Sequence, residues 1–121
     1  MAIERVPPAG SAGNPPRFVP VAVDAVEPVQ VGPGCFRRDL PSIGGVRVWV
    51  VDIAPGSSWP HVDVHDATGE EFLVVNGELI EGDQRLGPGT YVLFGPHSRH
   101  RPRTERGVRL FGFNLLVAPG G

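Results

Sequence analysis

From Gly45 onward every apolar run in the chain is short, rich in β-branched and aromatic residues, and followed by glycine, proline or asparagine. The runs read GVRVWVVDIAPG, HVDVH, EEFLVVNG, ELIEG, TYVLFGP and VRLFGFNLLV. None carries apolar residues at helical spacing for long enough to form an amphipathic helix. Short strands at close spacing are what remain, and Gly 17 and Pro 14 in 121 residues supply the turns between them. The expected fold class is all-β, a small antiparallel β-barrel or double-sheet jelly roll with little or no helix. Asn76 and Gly77, lying between two such runs, predict a tight hairpin.

The chain before Gly45 is different. Residues 1–20 are dominated by proline, glycine, alanine and serine, the composition of a flexible arm. From Val21 to Pro33 valines recur but Pro28 interrupts them, which predicts a short edge strand or an extended segment against the body. The remaining length, 21–121, suits one domain.

A net charge of -2 excludes binding dominated by phosphate neutralisation, so neither nucleic acid nor an anionic membrane is an expected partner. A small-molecule ligand or substrate fits better. The single cysteine, Cys35, cannot form an internal disulfide and reads as a small buried hydrophobe. With no apolar leader or membrane-length stretch in the sequence, a cytoplasmic location is expected.

The chemistry concentrates in HVDVHDATGEEFLVVNG, residues 61–77. On an extended strand, side chains two apart share a face, so His61, Asp63 and His65 project together. The turn from Asp66 to Gly69 then returns Glu70 at the start of the next strand, where it can point the same way. Imidazole nitrogen with carboxylate oxygen suits a divalent zinc, iron, manganese, nickel or copper ion, and no thiolate is on offer. Asp66 and Glu71 are expected to face solvent. His97 reads as an exposed turn residue, and Arg99, Arg101 and Arg103 as a solvated outer face. Phe72, Tyr91, Phe94, Phe111 and Phe113 are expected mostly in the core, and Trp59 either there or at a pocket mouth.

These residues carry a resemblance to the cupin superfamily, whose motifs are G-x5-H-x-H-x3-4-E-x6-G and G-x5-P-x-G-x2-H-x3-N. Asp63 and His65, four residues, Glu70, six residues and Gly77 resemble the first. Gly89 and His100, with the segment between them, resemble the second. The wording GEEFLVVNG, GTYVLFGP and SRHRPR is most similar to the cupin-like domain of ChrR-type anti-sigma factors. The resemblance implies that His65, Glu70 and His100 are metal ligands within a small barrel. Asp63 stands where the first motif histidine would be, while His61 is the more usual ligand type; spacing alone leaves both open. Gly95, His97 and Thr104 replace the second motif's proline, glycine and asparagine.

A cupin of this kind implies a metal-dependent enzyme on a small organic molecule, of the oxygenase, isomerase, cyclase or lyase type. Glu70 or Asp63 would act as base where not bound to metal. The alternative is a non-enzymatic sensing domain related to the anti-sigma factors, although residues 1–34 contain no amphipathic helical pattern with which to bind a sigma factor. A homodimer is expected, through the arm or the Val21 to Val31 segment.

Overall fold

The computed structural model describes residues 18–64 and 68–115. Residues 1–17 of the expected arm, and His65 with Asp66, therefore lie outside the described residues. In chain order the strands are β1 (Val29–Gly32), β2 (Cys35–Leu40), β3 (Val46–Ile53), β4 (Asp63–Val64) and β5 (Glu70–Gly77). They continue as β6 (Leu79–Glu81), β7 (Gln84–Leu86), β8 (Tyr91–Phe94), β9 (Arg99–His100) and β10 (Val108–Leu115). Among the described residues the helical content is one 3-10 turn, Val23–Ala25, and no helix is long and apolar enough to cross a membrane.

Six strands join in one antiparallel sheet in the order β1, β2, β3, β10, β5, β8, while β4 pairs with β9 and β6 with β7. This is the all-β jelly roll expected from the strand pattern. Alternation decides what each strand buries. Trp49, Val51 and Ile53 of β3, Phe72 and Val74 of β5, and Val108 and Leu110 of β10 face one core, with Cys35 from β2 and Leu79 from β6. Each fully buried large side chain in that set, such as Phe72 or Leu79, contributes roughly 1.5–3 kcal/mol relative to exposure.

Gly112 marks the tightest point of this packing. It pairs with Trp49 on one side and Phe72 on the other. A Cβ there would lie 2.6 Å from the Trp49 ring and 2.5 Å from the Glu71 carbonyl oxygen. Any larger residue would have to displace backbone, so the indole can cross β10 only because this position is glycine.

The outer face is covered unevenly. Over β2, β3 and β10 lies the segment that includes the 3-10 turn, tied down by charge. Asp52 accepts from Arg38 at 2.7 Å and from Arg109 at 2.7 and 3.0 Å, and Arg109 also reaches Asp24 at 2.7 Å. Arg38 donates to the Val26 carbonyl as well. The Arg109 guanidinium holds the Asp24 carboxyl below its usual range. Beyond this segment Leu73, Val75, Tyr91, Leu93 and Phe111 are exposed.

Two sequence expectations change. The Asn76 and Gly77 hairpin does not form, because β5 pairs with β8 and β10, whereas β6 pairs with β7. Gly77, at φ 78, instead carries the chain out of the large sheet, and a Cβ there would meet the Gly107 carbonyl oxygen at 2.0 Å. The two-residue turns are Pro33 and Gly34 between β1 and β2, and Gly82 and Asp83 between β6 and β7. Tyr91 and Phe111 are not core residues, since their strand positions alternate with the inward Val92 and Leu110. Val29–Gly32 does form the expected edge strand, pairing with β2 of its own chain.

Candidate metal centre

The site forms where the two smallest strands meet the start of β5. Asp63 on β4 lies directly opposite His100 on β9. Glu70 opens β5 opposite Phe94 of β8. One ligating atom from each of Asp63, Glu70 and His100 lies within 4.8 Å of the other two. His100 Nε2 stands 3.4 Å from Asp63 Oδ2 and 3.5 Å from Glu70 Oε2. Nitrogen and oxygen donors bind zinc at about 2.0–2.2 Å, so tetrahedral ligand atoms stand about 3.4 Å apart. The three donors therefore have the spacing that a shared ion requires, and the N, O, O set fits a divalent first-row metal.

The other ring nitrogen is held from behind. His100 Nδ1 lies 2.7 Å from Glu81 Oε1, a hydrogen bond that fixes the imidazole with Nε2 facing Asp63 and Glu70. Phe94 stacks on the ring at 3.9 Å between centroids and 16° between planes. The His100 side chain is only 6% exposed and Glu70 12%, against 32% for Asp63, so the cluster is open on the Asp63 side. Burial works to lower the His100 pKa, yet hydrogen bonding to Asp63, Glu70 and Glu81 outweighs it and the value is pushed up to about 11.

The cluster opens into a cavity of about 440 Å³. Trp49, Trp59, Phe72 and Leu110 form apolar parts of its wall, and Arg37 and Arg47 line it as well. Asn114 accepts from Trp49 Nε1 at 2.8 Å and donates to the Gly69 carbonyl at 3.0 Å, bracing β3 against the residue before Glu70.

Of the five candidate ligands read from the sequence, the structure brings together Asp63, Glu70 and His100. His61 is exposed in a bend after Pro60, with Nδ1 3.1 Å from the Val62 carbonyl oxygen, because β4 begins only at Asp63. His65 lies outside the described residues. Glu71 meets the Tyr91 hydroxyl on the outer face. Exposed Arg101 donates to the Trp59 carbonyl and exposed Arg103 to that of Gly82. Cys35 is fully buried, donates to the Ser58 carbonyl and has its thiol pKa pushed up by burial. The sequence reading missed Glu81, although it shares a strand face with the fully buried Leu79, and a carboxylate beside such a residue needs a partner. It also missed Arg47, which shares a strand face with Trp49, Val51 and Ile53.

The fold is similar to that of a polyketide cyclase, RemF, from Streptomyces resistomycificus, with TM-score 0.70, 19% identity, and coverage of 84% of this chain and 82% of that one. A predicted oxalate decarboxylase from Thermotoga maritima matches with TM-score 0.69 at 14% identity, over 82% of this chain and 100% of that chain. The structure of Rhodobacter sphaeroides SigE in complex with the anti-sigma ChrR matches with TM-score 0.69 at 22% identity, over 77% of this chain and 51% of that chain. At these identities the likeness is one of fold. No curated protein sequence matches the chain significantly. The family profile of the ChrR cupin-like domain matches residues 17–117, nearly the whole barrel, and the chain belongs to that family.

Proposed function

We propose that this protein is a metal-dependent cupin acting on a small organic molecule in the cavity beside Asp63, Glu70 and His100. The observation that carries this reading is the convergence of those three donors, at ligand-to-ligand spacing, on a cavity of about 440 Å³ whose walls mix apolar and polar side chains. Asp63, Glu70 and His100 would hold zinc, iron, manganese, nickel or copper, with His65 as a fourth ligand. When bound, such an ion supplies Lewis-acid polarisation of a substrate oxygen or, if redox-active, a site for dioxygen.

The chain's own residues do the rest. Glu81 orients the His100 ring, Phe94 covers it, and Trp49, Trp59 and Phe72 give the cavity an aromatic wall. Where Asp63 or Glu70 is not ligating, its carboxylate is placed to take a substrate proton at the cavity edge. We place the catalytic unit in one domain, 21–121, in the cytoplasm. The exposed Leu73, Val75, Tyr91, Leu93 and Phe111 provide an apolar face for a homodimer, which light scattering tests, a monomer counting against it.

The second reading, a metal or ligand sensor without turnover, is favoured by the family match to ChrR cupin-like domains. Elemental analysis of untagged protein tests the shared premise: one metal equivalent in the wild type and none in His100→Ala. Redox-active metal would favour dioxygen chemistry, whereas zinc leaves Lewis-acid catalysis and sensing to be separated by turnover assays.

A further inference from the structure

We infer that the cavity binds a monocarboxylate with a flat apolar body, its carboxylate held by Arg37 and Arg47 and its far end turned toward Asp63, Glu70 and His100. The far end rests on the metal reading of that cluster; the arginine end stands on its own residues.

Arg37 pairs across the sheet with Val51, and Arg47 with Asn114. Both therefore project from the face that carries the core, and both line the cavity. Arg47 is exposed and Arg37 half-buried where they line the cavity. On the outer face Arg38 and Arg109 are neutralised by Asp52. On the inner face Asp39 engages Arg37 only through Nε, at 3.0 and 3.3 Å, so the contact does not use the terminal nitrogens of the guanidinium fork. A planar guanidinium edge matches a carboxylate in geometry as well as charge.

The spacing sets the ligand's size. Arg47 is on β3 and Glu70 on β5, with β10 between them. Two strand spacings make about 10 Å of backbone separation, which two side chains and a small molecule fill together. Asn114, which lies between, is committed to Trp49 and Gly69, so it shapes the wall and leaves recognition of charge to the arginines. Trp49, Trp59 and Leu110 supply the apolar middle. One end thus selects an anion, the centre an apolar ring, and the other end a group that can approach a cation.

Titration calorimetry of the full chain with sodium benzoate, benzamide and acetate, with and without added zinc chloride, tests this assignment. Benzoate is expected to bind at least tenfold more tightly than either analogue. Arg37→Gln and Arg47→Gln should each weaken benzoate at least tenfold while leaving benzamide and zinc uptake unchanged, and Arg47→Lys should retain part of the affinity. Loss of benzoate binding in the arginine variants without zinc uptake by the wild type would support this site and defeat the metal reading. Benzoate binding that both glutamine variants preserve, or no binding to the wild type under either condition, overturns the inference.

Discussion

Two charged clusters lie on either side of the large sheet, and their balance differs. The outer one sets Arg38 and Arg109 against Asp24 and Asp52, two positive charges against two negative. Among the described residues, the inner one sets His100 against Asp63, Glu70 and Glu81, so that even a protonated imidazole leaves these three carboxylates two charges short of neutrality. The outer cluster is also bound tightly, at 2.7 Å, while the inner contacts to Asp63 and Glu70 stand off at 3.4 and 3.5 Å. A balanced, closed cluster fastens one segment to another. An unbalanced, open one in a largely buried place leaves room and charge for a divalent cation.

That difference is open to direct challenge by substitution in metal-free protein. Asp52→Asn leaves Arg38 and Arg109 without their shared carboxylate and is expected to cost about 1–3 kcal/mol, discounted for the partial exposure of Asp52. Glu70→Gln, which relieves repulsion with Asp63 and leaves His100 two carboxylates, should stay within about 1 kcal/mol of the wild type. Urea unfolding in chelator measures both, and equal losses would erase the distinction between the clusters.

Glu81→Gln sharpens the same contrast, because Glu81 belongs to the inner cluster without being a proposed ligand. Losing its grip on Nδ1 should weaken metal affinity roughly 10–100-fold while keeping the stoichiometry. An unchanged affinity would mean that the His100 ring is oriented by the Phe94 stack alone.

The contrast also has a dependence on pH. In the metal-free protein His100 is protonated at neutral pH, its pKa pushed to about 11. Its contribution to stability is complete below the ordinary value of 6.5 and is lost as pH rises through about 11. A metal must displace that proton, so one proton leaves with each ion bound, and affinity rises about tenfold per pH unit through the neutral range. Calorimetry in two buffers of different protonation enthalpy reads the proton directly; zero release would remove His100 from the ligand set.

Much of the fold was legible because β3, β5, β8 and β10 are long enough for alternation to be seen. Their inward residues, such as Trp49 with Val51 or Phe72 with Val74, recur every second position and so specify both the strand and its buried face. The smallest strands offer no such signal. Two residues cannot display a period, and β4 and β9 are defined by the pairing of Asp63 with His100, a partnership 37 positions apart in sequence. His100 was legible only through the motif resemblance, since nothing local distinguishes it from the exposed His97. The Asn76 and Gly77 signal misled because a positive-φ glycine serves a crossing between sheets as well as a hairpin. Glu81 and Arg47 were readable in principle, each being a charged residue in phase with buried neighbours, but the partner of Glu81, His100, comes from a distant strand.

Native mass spectrometry of the wild type, Asp52→Asn and Glu70→Gln after incubation with zinc tests the central claim most directly. One ion per chain is expected in the wild type and in Asp52→Asn, and none in Glu70→Gln. A wild type that takes up no zinc, or a Glu70→Gln variant that still holds one ion, would contradict the assignment of the inner cluster as a metal centre.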